Sequence, residues 1–355
     1  MRMRKFAVFS GFLGSGKTTA MMALTDYYTK RHGKAAMISN DLGHGVTLAD
    51  HRLARLKGCN ASEMTETCIC YQNENLADRL NAYYREGCEL VISDIPGFGV
   101  GALEHVYHGL AEKFPGQFDL APFTVLTEPR TVDLLRDGRG GDMEYLLDTQ
   151  LTEADLILLN KCDLLSREQA EADKAWLKQR YPHARVLLIS ALKEEGLEAL
   201  AQALKKGTAS MRRPDIGYGG EAFRASMEKL SEYYLQCHAA VCCNTFDGNR
   251  YLTDLAEEVQ ARIRAAGFEI PHLKLLAWEP EGDFCKADLL GTDRLVEVSH
   301  RFARPCTAAA VILNASAACP PEILDALITE TLGEISGRYQ LELAVFKKEC
   351  FGMGE

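Results

Sequence analysis

The tightest constraint on this chain is a run near its start, Gly11-Phe-Leu-Gly-Ser-Gly-Lys-Thr18. Lys5–Ser10 before it is apolar and reads as a strand, and Thr19–Tyr28 after it reads as a helix. Glycine, four residues and Gly-Lys-Thr between a strand and a helix wrap backbone N–H groups around phosphate oxygens. The helix N-terminus adds its partial positive charge. In this reading Gly11, Gly14, Ser15, Gly16, Lys17, Thr18 and Thr19 hold a nucleoside triphosphate. Lys17 reaches the β and γ phosphates, and the Thr18 hydroxyl ligates Mg²⁺.

The first half of the chain repeats the strand–helix rhythm. Strands are expected at 5–10, 34–40, 89–95, 121–127, 155–160 and 184–190, with helices between them. Near-continuous apolar strands separated by helices predict an α/β fold: a mostly parallel P-loop NTPase sheet flanked by helices, with the phosphate loop at its carboxyl edge. From Lys206 the sequence turns polar and glycine-rich and carries Pro214, which reads as a linker. A connecting helix is expected near 221–235. Beyond it the order strand, helix, strand, strand, helix, strand predicts a smaller C-terminal ferredoxin-like α+β domain. The expected divisions are 1–205, 206–236 and 237–355. The 355 residues are enough for two domains.

A second nucleotide signal ends the strand at 155–160: Asn160-Lys161-Cys162-Asp163. Guanine presents N1–H and its exocyclic amine on one edge, and a carboxylate accepts both, so Asp163 selects GTP and GDP over adenine nucleotides. Asn160 and Lys161 brace the loop and cover the base, and Ser190-Ala191 follows the next strand, where a backbone N–H meets guanine O6. Asp94-Ile-Pro-Gly97 supplies a carboxylate at a buried strand end for Mg²⁺ or its waters and a Gly97 N–H for the γ-phosphate; a plain strand-end turn is the alternative. The glycines of Gly97–Gly101 suit a nucleotide-dependent switch. Asp41, in Asn40-Asp41-Leu-Gly43, is a second Mg²⁺ candidate, with an Asx turn as the alternative. Lys17, Asp41 and Asp94 are the expected catalytic set. Arg130, Arg136 and Arg139 are candidates for an activating arginine.

The chain carries twelve cysteines and a net charge of −10. With no long basic block, nucleic acid is not an expected partner. Met1–Lys5 has the charge of a signal-peptide start, but the apolar run after it is short and leads into the phosphate loop, so neither export nor membrane insertion is expected. A cytoplasmic setting follows, where thiols are reduced or bind metal. Cys68-Ile-Cys70 can grip one soft metal ion, with further ligands from Glu63, Glu66, His44, His51, Cys59 or a second subunit; buried or incidental thiols are the alternative. Cys237, Cys242 and Cys243 are expected to pack in a core, and His272 and Lys274 to share a solvated strand face.

Taken together, these motifs resemble the metallochaperone family of phosphate-loop GTPases, and within it the CobW-like group. The resemblance rests on Gly11–Thr19, Asn40–Gly43, Glu63–Tyr71 in part, Gln150-Leu-Thr-Glu-Ala-Asp155 and Leu159-Asn-Lys-Cys-Asp-Leu164. It implies slow Mg²⁺-dependent hydrolysis of GTP to GDP, coupled to delivery of a metal or metal-containing cofactor to a metalloenzyme or corrinoid-protein client. Zn²⁺, Co²⁺ or Ni²⁺ at Glu63, Cys68 and Cys70, and a homodimer, belong to the same implication. Three positions depart from the group: Thr67 replaces a glycine, Tyr71 replaces the third cysteine, and Asp94 replaces a glutamate. These leave the GTPase reading intact and open a second one, a nucleotide-gated chaperone of a corrinoid or other metalloenzyme that binds no free metal ion itself; a separate third reading is an ATP-dependent small-molecule kinase, which Asp163 opposes.

Overall fold

The computed structural model describes residues 4–43, 49–139, 143–242 and 244–354; His44 and Cys243 lie outside them. The chain forms two compact units, Met1–Leu42 with Lys57–Phe223, and Gly43–Leu56 with Arg224–Glu355.

In the first unit the chain runs β1 (Lys5–Ser10), α1 (Lys17–Arg31) and β2 (Ala35–Asn40), makes an excursion that carries α2 (Ala49–Leu56), and returns as β3 (Ala61–Met64). It continues with α3 (Asn73–Arg85), β4 (Leu90–Asp94), a π-helical turn at Leu103–His108, α4 (Gly109–Lys113), β5 (Asp119–Leu120) and β6 (Thr124–Thr127). Then come α5 (Pro129–Arg136), α6 (Glu144–Glu153), β7 (Leu156–Leu159), α7 (Arg167–Arg180), β8 (Arg185–Leu188) and α8 (Leu197–Lys206). The sheet has the order β3-β2-β4-β1-β6-β7-β8, and β5 also pairs with β1. All its pairings are parallel. Every residue of β1, β2, β4 and β7 is buried, which is why these strands are apolar on both faces. Strand order reverses at β1, so the crevice for a ligand opens where the phosphate loop leaves that strand.

Two short strands and two helices were not expected. β3 and β5 are too brief to show a period. α5 opens with Pro129 at its first position, after Glu128. By contrast, α7 begins with a complete capping box between Ser166 and Gln169.

The stretch after α8 is not a loose tether. Arg212 Nη2 donates to the carbonyls of Thr152, Glu153 and Ala154 at the end of α6, where a cation also meets the helix dipole. Ser210 bonds Asp155, and Arg213 pairs with Glu104 and Glu112. These charged partners hold residues 209–218 against the first unit.

The connecting helix is also shorter than expected. α9 spans Glu221–Met227, and β9 (Ser231–Val241) begins where the helix was to continue. Tyr233, Leu235 and Cys237 alternate into the core, a period of two that the aromatic Tyr234 on the other face obscures.

After β9 the second unit runs α10 (Gly248–Ala265), β10 (Glu269–Trp278), β11 (Phe284–Leu289), β12 (Glu297–His300), β13 (Ala308–Ala318), α11 (Pro321–Arg338) and β14 (Leu341–Gly352). Its antiparallel sheet has the order β12-β11-β10-β13-β9-β14. The four strands β10-β13-β9-β14 with α10 and α11 are the ferredoxin-like core, and β11–β12 extend its edge. Leu252, Leu255, Val259, Leu324 and Ile328 from the helices bury against Leu235, Leu275 and Leu313. The His272–Lys274 face is covered rather than solvated. His272 is buried, Lys274 pairs with Asp50 of α2, and Arg52 stacks over Trp278. Cys237 packs in the core as expected, whereas Cys242 is exposed.

Candidate functional site: nucleotide loops and a thiol loop

The phosphate loop takes a shape that side chains larger than hydrogen would block. Gly11 has φ +134°, and a Cβ there would lie 2.2 Å from the carbonyl oxygen of Leu126. Gly16 has φ +91°, and its Cβ would lie 2.3 Å from Asn160 Nδ2. Lys17 starts α1, and its Nζ donates to the carbonyl of Gly11 at 2.6 Å. The buried hydroxyl of Ser15 has no hydrogen-bond partner among the described residues. A loop of left-handed glycines with an unpartnered buried hydroxyl and an inward lysine fits a polyphosphate.

Asn160 ties the two nucleotide motifs together. Its Nδ2 donates to the carbonyl of Ser15 at 2.9 Å, and its Oδ1 accepts from the N–H of Ala191 at 3.0 Å. Next to it Lys161 adopts φ +62°, and its Nζ reaches Glu128 at 2.5 Å. Asp163 is exposed and accepts from the Ser190 hydroxyl at 2.6 Å. Cys162 turns inward, its sulfur donating to the Leu159 carbonyl, and burial pushes its thiol up to about 11. It is therefore a filler at the variable position of the loop.

The carboxylates at the sheet edge differ from each other. Asp94 is 6% exposed, and its Oδ1 accepts the backbone N–H of Asn40 at 2.8 Å, across the β2–β4 pair. Asp41 Oδ1 accepts from the N–H of Leu42, the next residue, one position short of the bond that closes an Asx turn. Gly97 packs on the phosphate loop, since a Cβ there would lie 2.4 Å from Leu13 Cδ2. Thr18, Asp41 and Asp94 are the oxygen donors suited to Mg²⁺ here. Of the arginine candidates, Arg136 pairs with Asp133 and Asp173 and stacks near Trp176, and Arg139 pairs with Asp137. Arg130 lies exposed in the first turn of α5.

Asn40 also anchors the thiol loop, a role its motif did not disclose. Its Nδ2 donates to the carbonyls of Met64 and Thr67, and its Oδ1 accepts from Ile69 N–H. Gln72 adds bonds to the carbonyls of Thr65 and Thr67. One residue thus joins the Asp94 strand end to the loop that carries Cys68 and Cys70. The Cys68 sulfur accepts the N–H of Cys70 at 3.3 Å. Cys70 is buried, and its contact with Cys68 together with burial pushes its thiol well above the usual range. A cation is what would favour its thiolate. Glu63 sits on β3, beside the same loop. Among the described residues, however, no group of three His, Cys, Asp or Glu side chains is assembled to hold a metal ion. Tyr71, in the third thiol's place, is 65% exposed; its hydroxyl meets that of Tyr218 at 2.6 Å, with His105 packed against both rings.

The sequence matches a known family and individual proteins. The model of the family described as CobW/HypB/UreG, nucleotide-binding domain, matches residues 5–188. The zinc chaperone YeiR of Escherichia coli (strain K12) is 30% identical over 185 residues, 50% of this chain and 52% of that protein. The zinc-regulated GTPase metalloprotein activator 1 of Dictyostelium discoideum is 27% identical over 220 residues, 51% of this chain and 44% of that protein. The chain spans about half the length of these curated relatives. Among solved structures, HypB from Helicobacter pylori in complex with nickel shares 19% identity over 59% of this chain and 91% of that one, with a TM-score of 0.42. Zn(II)-bound YjiA GTPase from E. coli shares 13% over 93% and 99%, with a TM-score of 0.39. Among the described residues no helix is long and apolar enough to cross a membrane.

Proposed function

Since the chain belongs to the CobW/HypB/UreG family, we propose that it is a GTP-binding and GTP-hydrolysing protein whose nucleotide state controls the handling of a metal or metal-containing cofactor for a client metalloenzyme. One observation carries the nucleotide part. The Asn160 side chain bonds the phosphate loop at Ser15 and the Ala191 loop together, so phosphate and base motifs form one network. Gly11, Gly14, Ser15, Gly16, Lys17, Thr18 and Thr19 bind the phosphates. Lys161 covers the base, and Asp163 accepts its two donors with Ser190 and Ala191 closing the pocket. Thr18, Asp41 and Asp94 would hold Mg²⁺ through their oxygens, and the ion would supply neutralisation of phosphate charge. Lys17 leaves its carbonyl contacts to meet the β and γ phosphates. Gly97 packs against Leu13 of the phosphate loop, and on this reading its N–H senses the γ-phosphate.

On this reading the thiol loop is the output. Asn40 lies between Asp94 and Cys68–Cys70, so a shift at the strand ends reaches the sulfurs through a short hydrogen-bonded path. Zn²⁺ is the first metal to test, with Co²⁺ and Ni²⁺ next, because two thiolates favour soft or borderline ions. A second reading is favoured by the Tyr71–Tyr218 contact: the loop is a docking element for a metalloenzyme or corrinoid protein and binds no free ion. Pull-down of a client with GTPγS but not GDP, without bound metal, would support it.

The nucleotide part is tested by calorimetry with GTP and ATP on wild type and Asp163→Asn. An amide can accept one bond and donate one, which matches the C2 carbonyl of xanthine rather than the amine of guanine. The variant is expected to lose about 100-fold in GTP affinity and to gain xanthosine triphosphate. A wild-type preference for ATP would overturn the proposal.

A further inference from the structure

The segment after Asp94 reaches Leu103 with no strand or helix of its own, and one helix holds it. Gln150 and Glu153 stand one turn apart on α6. Gln150 Nε2 donates to the carbonyls of Gly97 at 2.9 Å and Gly99 at 3.0 Å. The two oxygens of Glu153 accept from the N–H groups of Gly101 at 2.8 Å and Leu103 at 3.1 Å. The pairing follows chemical type: the amide meets two acceptors, and the carboxylate meets two donors. Neither residue can serve in the other's place. Gln150 is 1% exposed and Glu153 2%, so each unmet group would be a buried orphan.

Both ends of the clamped segment touch functional parts. Gly97 lies against Leu13 of the phosphate loop. Gly101, at φ +79°, lies under the rings of Tyr218 and His105, which in turn contact Tyr71 beside Cys70. Holding a carboxylate here costs its hydration, and burial raises its pKa to about 7 even with two N–H donors in place. Core packing alone does not call for a carboxylate at such a position. Leu103 also opens a π-helical turn, a local irregularity frequent at functional sites.

We infer that Gln150 and Glu153 are positioning residues that set the Gly97–Leu103 segment in the arrangement that distinguishes GTP from GDP. The inference rests on the GTPase reading and adds to it the residues through which the γ-phosphate contact at Gly97 is held. They touch the segment's backbone and act on the nucleotide only through it.

The test uses full-length Gln150→Leu, which keeps the volume and loses both donors, and Glu153→Gln, which turns a donor group toward an N–H. GTPγS and GDP affinities, steady-state GTP turnover and thermal unfolding are measured for both and for wild type. The expected result is GDP affinity within about threefold of wild type, with the GTPγS-to-GDP preference and kcat each reduced about tenfold. Glu153→Asp, which keeps the two acceptors, is expected to recover part of kcat. A folded Gln150→Leu or Glu153→Gln with unchanged preference and kcat overturns the inference and leaves the proposed function standing. Equal losses of GTPγS affinity, GDP affinity and thermal stability also overturn it, because they describe a purely structural role. A wild type that binds no guanine nucleotide overturns both.

Discussion

The nucleotide loops and the thiol loop lie at the same end of one sheet, but they are built differently. The first is braced before any ligand arrives: its glycines already hold left-handed conformations, and Asn160 locks it to the Ser190–Ala191 loop. The second is anchored at its base by Asn40 and Gln72 but not assembled at its tip. Its two sulfurs lie close together with a raised Cys70 thiol, and the third position holds an exposed tyrosine. A braced site binds its ligand at little ordering cost, whereas a half-built site depends on what completes it. That contrast suits a protein that holds nucleotide persistently and handles cargo only in one state.

The largest effect should come from the braced half. On the proposed function Lys17→Ala removes the charge meant for the β and γ phosphates and should lower GTP turnover by about 100-fold or more, read by phosphate release. A smaller loss would mean that the phosphates are held mainly by backbone groups. Asn160→Ala should weaken GTP and GDP alike by about tenfold, because it releases both loops at once. If only one nucleotide were affected, Asn160 would be part of the switch and not of its frame.

Tyr71→Cys tests the other half. Restoring a third thiol should raise Zn²⁺ affinity by about tenfold or more, measured by competition with a chromophoric chelator. No gain would mean that the loop's path, not its third residue, keeps it from closing on metal.

A pH series gives the smallest effect. The Glu153 carboxyl rises from 4.5 to about 7 through burial. The folded state therefore keeps a proton that the unfolded chain releases, and this contribution is full below pH 4.5 and lost as pH rises through 7. It amounts to about 3 kcal/mol at most. Urea unfolding from pH 5 to 8 should show this slope in wild type and a flatter one in Glu153→Gln.

Much of the braced half could be read from the sequence, because its chemistry is local. Gly11–Thr18 and Asn160–Asp163 carry their geometry within a few residues, and the apolar runs around them place both at one sheet edge. What escaped depends on distant partners. Asn40 looked like part of a turn, yet its side chain organises residues 64–69. Gln150 stood in a matched motif without a role until Gly97 and Gly99 were seen beside it. The polar residues 209–218 read as linker because Arg212 and Arg213 find their partners some sixty to a hundred positions away. In β9, Glu232 takes the face opposite Tyr233 and Leu235, yet it is buried there and bonded by Tyr234 and Ser316. Asp41 remains a magnesium candidate, and its Oδ1 accepts from the N–H of the adjacent Leu42.

The most direct test of nucleotide-controlled cargo handling is the Zn²⁺ affinity of the full chain, measured anaerobically with saturating GDP and with GTPγS. The proposed function predicts affinities that differ by at least about fivefold between the two nucleotides, with the difference lost in Cys68→Ser/Cys70→Ser. Equal affinities in both states, or a difference that survives removal of both sulfurs, would contradict it.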